Sequence, residues 1–287
     1  MDVAILQALE SIRCGFLNVL FGILTFFGEE TFIVLIIAIV FLCVKKSVGE
    51  QMLLTVISSS VLCTILKSAV RRNRPFVDGT VQKVDIDTPL VSTNDLHLDQ
   101  SFPSGHSASS GSFFGSIAAI FRKKAWVIIV CALAVLAVMI SRLYLGVHFP
   151  TDVLTGATIG ILSAVIWQII YTKLYDKRLW IFLAIAILTI PFLFITRTAT
   201  HSMFKISAIA LSVAIAMIIQ DKFFNFQDAD KFWKRIVRFA IAIAAAAIPF
   251  LLFSLLPKGD ISSFVKYFFA ILAALTVAPV CIVKFNL

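Results

Sequence analysis

The fold class is decided by the stretch Ala125–Tyr144, whose sequence is AWVIIVCALAVLAVMISRLY. Every residue before Ser141 is apolar, and Arg142 is the first charged residue, two positions before the end. A helix of about 20 mainly apolar residues is long enough to cross the hydrocarbon core of a bilayer. The stretch therefore predicts a transmembrane helix.

The rest of the chain has the same character. Of its 287 residues, 60% are hydrophobic and only 14% are charged, and the mean hydropathy is +0.99. A soluble domain carries about 25% charged residues, so this composition excludes an ordinary water-soluble globule. We predict an all-α, polytopic membrane helix bundle. Nine spans cover residues 31–46, 48–66, 105–121, 125–144, 151–172, 179–196, 203–220, 236–256 and 263–283.

A tenth apolar segment, Phe16–Gly28, is too short to cross by itself. It could cross together with the residues before it, or lie in the interface as an amphipathic helix. We expect it to cross, which places the N-terminus on the cytoplasmic side.

The net charge is +9, from 25 Lys and Arg against 16 Asp and Glu. The bases stand in short clusters between the spans, which is typical of a membrane orientation signal and does not indicate a nucleic acid partner. The clusters Lys45–Lys46 and Arg122–Lys124 are assigned to the cytoplasmic side. The long polar loop over residues 76–102 then lies on the opposite side, and we expect its aspartates and His97 to form a solvated lid.

The five cysteines stand inside apolar stretches, without the close Cys and His spacing of a zinc site. We interpret them as small hydrophobic residues.

Three polar groups interrupt the apolar pattern on the side of the long loop. The first is KSAVRRNRP, in which Lys67 precedes Arg74 and Pro75. Lys67 stands at the end of a span, so it could instead be an interfacial base whose side chain extends its charge to the membrane surface. Arg71 and Arg72 could attract an anionic headgroup or contact anionic lipid.

The second group is FPSGH, residues 102–106, placed where a span begins. Ser104 is a favourable helix cap, and Gly105 would let an anion approach the free backbone N–H groups of a helix start. His106 lies one turn into the span, where ionisable groups are costly and usually functional. Glu29 and Glu30, by contrast, are expected at the interface.

The third group is SRLYLGVHFPTD, residues 141–152, which contains Arg142, His148 and Asp152. A spacing of four lets the Asp152 carboxylate reach one imidazole nitrogen of His148, fix the tautomer and make the other nitrogen a better nucleophile. Together the three groups supply fixed cations, N–H donors, a nucleophile and an acid. Phosphoryl transfer needs these parts when no metal ion is used, and no carboxylate cluster suited to magnesium is evident in the sequence.

These three motifs, in this order and with these internal spacings, resemble the signature of the type 2 phosphatidic acid phosphatase superfamily of integral-membrane lipid phosphatases. The resemblance implies that His148 forms a phosphohistidine, that Asp152 orients it, and that His106 is the acid. It implies a phosphate cradle formed by Lys67, Arg74, Ser104, Gly105 and Arg142, with no metal and no cofactor. Soluble vanadium haloperoxidases share the constellation, but the apolar spans here argue against that branch.

The resemblance covers about residues 14–172 and implies a six-helix phosphatase core over 1–172, with about four additional transmembrane helices over 173–287. The expected substrate is a lipid phosphate or diphosphate, of the undecaprenyl diphosphate, phosphatidylglycerophosphate or phosphatidic acid type. The expected location is a bacterial cytoplasmic membrane, with the site on the extracytoplasmic face. A glucose 6-phosphatase-like hydrolase, a lipid phosphotransferase and, outside the enzymes, a lipid transporter are the alternatives.

Overall fold

The computed structural model describes residues 2–86, 99–195, 201–257 and 259–287. These residues form helices and the connections between them, and no strand occurs among them. The helices are α1 (Asp2–Ser11), α2 (Gly15–Phe26), α3 (Glu30–Ile39), α4 (Lys46–Val70), α5 (Gly105–Ile120), α6 (Ala125–Tyr144), α7 (Pro150–Lys173), α8 (Arg178–Ile195), α9 (His201–Phe223), α10 (Phe232–Ser254) and α11 (Asp260–Phe285).

The all-α membrane fold is confirmed, because each predicted span coincides with one of these helices. Seven of the described helices are long and apolar enough to cross a bilayer, namely α4 and α6–α11. The other predicted spans form shorter helices: α5 has 16 residues, and α3 continues into one π-helical turn at Val40–Val44. The protein is a multi-pass membrane protein.

The chain divides into two compact units, which are described separately. Unit 1 contains residues 1–34 and 58–170, and unit 2 contains residues 35–57 and 171–287. All the candidate site residues lie in unit 1.

Glycines bring α5 and α7 of unit 1 into close contact. A Cβ added to Gly111 would lie 2.8 Å from the Ala157 carbonyl oxygen, and one added to Gly115 would lie 3.0 Å from the Ala164 methyl group. Gly156 and Gly160 of α7 approach the backbone of Ser104 and Ala108 in the same way. The small residues therefore serve helix packing, as expected of such spacings in membranes, and this packing sets the start of α5 against the start of α7.

The N-terminal segment packs on the same end of unit 1 as the candidate site. In α1, Leu6 is buried in a cluster with Val81 and Phe149, and the Thr151 hydroxyl donates to the Asp2 carboxylate over 3.2 Å. The backbone N–H of Cys14, just before α2, lies 3.3 Å from the Tyr144 hydroxyl. The expectation that this segment crosses before α3 is therefore wrong. Both α1 and the start of α2 lie at the end of unit 1 that carries His148 and Asp152.

Arg13, between α1 and α2, fastens this arrangement. Its guanidinium donates to the Tyr144 carbonyl over 2.8 and 3.1 Å and to the Gln82 carbonyl over 2.7 Å. These bonds hold the connection between α6 and α7, where Gly146 takes a positive φ of 73°. Gly146 lies so close to Gln82 that a Cβ added to this glycine would lie 2.6 Å from the Gln82 carbonyl oxygen.

Unit 2 has its own core, in which α9 packs between neighbouring helices through small residues such as Ala208, Ala214 and Ala216. In the same unit, the buried carboxylate of Glu50 has two partners. The Tyr171 hydroxyl donates to the Glu50 carboxylate over 2.7 Å, and Arg178 forms ion pairs with both Glu50 and Asp221.

Candidate active site

The nucleophile candidate His148 is buried in the connection between α6 and α7, with 1% of its surface exposed. Its Nε2 lies 3.2 Å from Nη1 of Arg74, and its Nδ1 lies 3.5 Å from Oδ2 of Asp152. Because a guanidinium can only donate hydrogen bonds, Nε2 must be the unprotonated nitrogen. The hydrogen is therefore on Nδ1, which faces the carboxylate, and the lone pair of Nε2 faces the cations.

His148 stays neutral in this environment. Burial, and then the charges of Arg74, Arg142 and Lys67, lower the pKa of His148 well below its ordinary value. A neutral imidazole with a free Nε2 lone pair is the form that can attack phosphorus.

Asp152, in the first turn of α7, is held on both oxygens. Oδ2 accepts from the Ser101 hydroxyl over 2.5 Å and from the Phe149 backbone N–H over 2.8 Å. Oδ1 accepts from the Arg72 guanidinium over 3.0 Å. The carboxylate is thus fixed where it meets the Nδ1 side of His148.

Arg72 therefore has a different partner from those considered in the sequence. Its guanidinium lies 3.8 Å above the Phe149 ring and donates to Asp152, and it also lies 3.9 Å from Asp2. Its guanidinium is thus bonded to the buried carboxylate, while 31% of its side chain stays exposed.

Lys67 and Arg74 form the cationic side of the site, and both are buried. Lys67 Nζ donates to the Asp99 carboxylate over 2.7 Å and to the Gln100 carbonyl over 2.8 Å. Arg74 Nη2 lies 3.5 Å from the same Asp99 carboxylate, and Arg74 also donates to the backbone carbonyls of Asp99 and Val147. The two cations of the first motif therefore converge, as predicted.

Asp99 corrects the expectation for the long loop. It is not a solvated lid residue, because its side chain is only 19% exposed and its Oδ1 has no hydrogen-bond partner among the described residues. Burial alone would raise the pKa of Asp99, but Lys67 and Arg74 outweigh it and hold the pKa below its ordinary value. Asp85 of the same loop is exposed, while Asp87, Asp95 and His97 lie outside the described residues.

Ser104 and Gly105 form the start of α5. Ser104 is the N-cap, its hydroxyl oxygen accepts from the Ser107 N–H, and its own N–H donates to the Asp152 carbonyl over 3.0 Å. A Cβ added to Gly105 would meet no atom within 4 Å. The glycine backbone therefore borders open space at a helix N-terminus, which is the place where an anion binds backbone N–H groups.

Arg142 and His106 lie beside the end of α2, which the sequence did not connect with the site. Arg142 is 2% exposed, Nη1 donates to the Thr25 hydroxyl over 2.8 Å, and Nε has no hydrogen-bond partner among the described residues. His106 Nε2 lies 3.0 Å from the Glu29 carboxylate. Glu29 is thus bonded to a site residue and is not the plain interfacial residue expected from sequence.

The geometry leaves one buried cation without an anion. Among the described residues, no carboxylate oxygen lies within 4.0 Å of Arg142, whereas Lys67 and Arg74 share Asp99. Burying an unpaired charge costs free energy, so an anionic ligand beside His106 would stabilise the buried guanidinium of Arg142. The described residues contain no group of three His, Cys, Asp or Glu side chains arranged to hold a metal ion.

Comparisons with known proteins identify a family and several relatives. Residues 50–176 match the family model of the PAP2 superfamily, and residues 204–287 match that of the PAP2 superfamily phosphatase, transmembrane extension. Phosphatidylglycerophosphatase B of Bacillus subtilis is 34% identical over 173 residues, which are 56% of this chain and 78% of that protein. Lipid A 1-phosphatase of Rhizobium etli is 31% identical over 44% of this chain and 51% of its own.

A third relative is the decaprenylphosphoryl-5-phosphoribose phosphatase of Mycobacterium tuberculosis, which is 30% identical over 55% of this chain and 84% of its own. Among solved structures, the transmembrane PAP2 type phosphatidylglycerolphosphate phosphatase from Bacillus subtilis is 31% identical over 60% of this chain and 85% of that chain, with a TM-score of 0.48.

Proposed function

Since the chain belongs to the PAP2 superfamily, we propose that it is an integral-membrane phosphatase that hydrolyses a lipid phosphate or diphosphate through a phosphohistidine at His148. The observation that carries the proposal is the buried guanidinium of Arg142, which has no carboxylate within ion-pair distance among the described residues, together with the unprotonated Nε2 of His148. A phosphate between them would supply the missing anion and present its phosphorus to the nucleophile.

In the first step, Nε2 of His148 attacks phosphorus, and the bond from phosphorus to the leaving oxygen breaks. The positive charge that develops on the imidazole is stabilised by Asp152, which accepts from the Nδ1 hydrogen. Lys67, Arg74 and Arg142 neutralise the charge on the phosphoryl oxygens, and the N–H groups at the start of α5 bind one of them. His106 donates its proton to the leaving oxygen.

In the second step, water attacks the phosphohistidine and the bond between phosphorus and Nε2 breaks. His106, now neutral, takes the proton of that water, and His148 returns to its neutral form as inorganic phosphate leaves. When phosphate binds, the contact between Arg74 and Nε2 of His148 must break. The Arg74 guanidinium can then bind a phosphoryl oxygen. All the charge stabilisation comes from side chains and backbone N–H groups of the protein, so the proposed reaction needs no metal ion.

The proposed lipid class is supported by the names of the relatives, which include a phosphatidylglycerophosphatase and an undecaprenyl-diphosphatase. We take a phosphorylated lipid of a bacterial cytoplasmic membrane as the substrate, reached from the extracytoplasmic face. We also propose that residues 1–172 form the six-helix phosphatase core and that residues 173–287 add further transmembrane helices.

The test is phosphate release by the purified protein in detergent with chelator present. The substrates are undecaprenyl diphosphate, phosphatidylglycerophosphate and phosphatidic acid, with glucose 6-phosphate for comparison. We expect release from at least one lipid, and we expect His148→Ala to abolish both this release and the acid-labile protein phosphate trapped by rapid quenching. Full activity of His148→Ala would refute the nucleophile, and loss of wild-type activity in chelator would refute the metal-free reaction.

A further inference from the structure

The turn between α2 and α3 reaches directly into the site at His106. Oε2 of Glu29 lies 3.0 Å from Nε2 of His106, and each side chain is 23% exposed. The preceding residue, Gly28, is so close that an added Cβ would lie 3.0 Å from the His106 carbonyl oxygen and 2.7 Å from Cγ1 of Val138. A glycine is therefore required where this turn passes between α5 and α6.

The same helix end also holds Arg142. Thr25, which is fully buried in the last turn of α2, accepts from the guanidinium over 2.8 Å. One short segment thus contacts both the acid candidate and the unpaired cation, although none of its residues belongs to the three motifs.

We propose that Glu29 is a positioning residue for His106, which fixes its tautomer and stabilises its protonated form during phosphoryl transfer. The inference rests on the proposed function, in which His106 protonates the leaving oxygen. A carboxylate can only accept hydrogen bonds, so Nε2 of His106 carries a hydrogen in either protonation state. Nδ1 is then the nitrogen that gives its proton to the leaving oxygen and later takes one from water.

The charge of Glu29 matters most when His106 is an imidazolium. The positive charge of Arg142 from α6 acts on His106, and that of His148 does so only after its imidazole has attacked phosphorus. Glu29, with Glu30 beside it, supplies the opposing negative charge. Without Glu29, the imidazolium would lose the carboxylate that is bonded to it, which disfavours the acid form.

This role predicts a dependence on the leaving group. A lipid alcohol is a poor leaving group and needs a proton as the bond to phosphorus breaks, whereas a nitrophenolate leaves readily without one. A residue that acts through His106 should therefore affect the two classes of ester differently. A merely structural residue would affect them equally.

The experiment compares Glu29→Gln with wild type on a long-chain alkyl phosphate and on p-nitrophenyl phosphate. The value compared is kcat/KM, which includes phosphoryl transfer to His148 but not the later hydrolysis. We expect Glu29→Gln to lower kcat/KM for the alkyl ester by about 10- to 100-fold, a part of what general acid catalysis contributes, and that for the aryl ester by less than about 3-fold. Glu29→Asp should give the same pattern with a smaller effect.

The matched control is Glu30→Gln, which removes the same charge one residue later, at the first position of α3. Because Glu30 acts on His106 through its charge but is not the residue bonded to it, Glu30→Gln should lower kcat/KM for the alkyl ester by a clearly smaller factor than Glu29→Gln does, and it should leave the aryl ester within about 3-fold of wild type. Equal losses for both esters in Glu29→Gln, or no loss in either, would overturn the role of Glu29. Failure of the wild-type protein to hydrolyse any ester, or full activity of His148→Ala, would instead count against the proposed function.

Discussion

At the scale of single residues, the polar groups of the site are arranged in two chains, each of which ends at a histidine. One chain runs from Arg72 through Asp152 to His148, and the other runs from Glu29 to His106. In each, an acceptor-only carboxylate decides which imidazole nitrogen carries hydrogen. The two histidines are thereby given different tasks by their partners, since one keeps a free lone pair and the other keeps a proton to give.

Gly105 provides the sharpest single-residue prediction. Gly105→Ala should keep or slightly raise the melting temperature, because alanine favours a helix over glycine by about 0.5–1 kcal/mol and the new methyl group meets no atom within 4 Å. The methyl group would, however, occupy the space through which phosphate approaches the backbone. We expect kcat/KM for the lipid phosphate to fall by about 10- to 100-fold.

The matched control for this prediction is Gly15→Ala. Gly15 is also the first residue of a helix, and its added Cβ likewise meets no atom within 4 Å. Its melting temperature should respond as that of Gly105→Ala does, while its activity stays unchanged. If Gly105→Ala hydrolyses the lipid as fast as Gly15→Ala does, Gly105 has no part in the phosphate cradle.

The sequence located the residues that stand in short local patterns. Motifs that combine unusual polar residues with fixed spacing in an apolar chain indicate Lys67, Arg74, Ser104, His106, Arg142, His148 and Asp152 as candidates, and their roles stay predictions. Thr25, Glu29, Asp99 and Ser101 were not found, since they reach the site only through folding over long separations. In sequence, Glu29 is typical of an interfacial acid and Asp99 of a solvated loop acid, whereas in the structure Glu29 bonds to His106 and Asp99 accepts from Lys67.

At the scale of helices, the site depends on how closely α5 and α7 approach each other. The first residues of α5 supply Ser104, Gly105 and His106, and the first turn of α7 supplies Asp152. The bond from the Ser104 N–H to the Asp152 carbonyl joins the two starts. Small residues further along both helices allow this approach. A wider gap between α5 and α7 would separate the acid candidate His106 from the nucleophile candidate His148.

Gly111→Ala should therefore disturb both stability and activity. Its Cβ would lie 2.8 Å from the Ala157 carbonyl oxygen, a backbone atom that cannot move without shifting α7. Overpacking of this kind costs about 1–3 kcal/mol, so the melting temperature in detergent should fall clearly. Activity should fall with it, because Asp152 moves with α7.

Gly115→Ala, on the same face of α5, is the comparison. Its Cβ would lie 3.0 Å from the side-chain methyl of Ala164 and 3.6 Å from the nearest backbone atom, so a small shift accommodates it. We expect the melting temperature of Gly115→Ala to fall by less than half as much as that of Gly111→Ala. Equal melting temperatures for the two variants would contradict the close backbone approach of α5 and α7.

At the scale of the whole molecule, the distribution of basic residues predicts which face carries the site. Several bases on the side of the long loop have partners that explain them: Lys67 and Arg74 contact Asp99, Arg72 contacts Asp152, Lys83 pairs with Asp85, and Arg142 is buried. Without them, the remaining bases favour the opposite side, which contains Arg122, Lys123 and Lys124. Since cytoplasmic loops retain Lys and Arg, the site should face away from the cytoplasm.

This orientation can be measured with a membrane-impermeant maleimide on intact bacterial cells that express the protein. All five native cysteines are replaced by alanine, and one cysteine is introduced at either of two exposed positions of unit 1. Val77→Cys lies in the loop after Arg74 and should be labelled in intact cells, whereas Lys123→Cys lies between α5 and α6 and should be labelled only in inverted vesicles. The reverse pattern would place the site in the cytoplasm, and a phosphatase so oriented could not act on lipid phosphates of the outer leaflet.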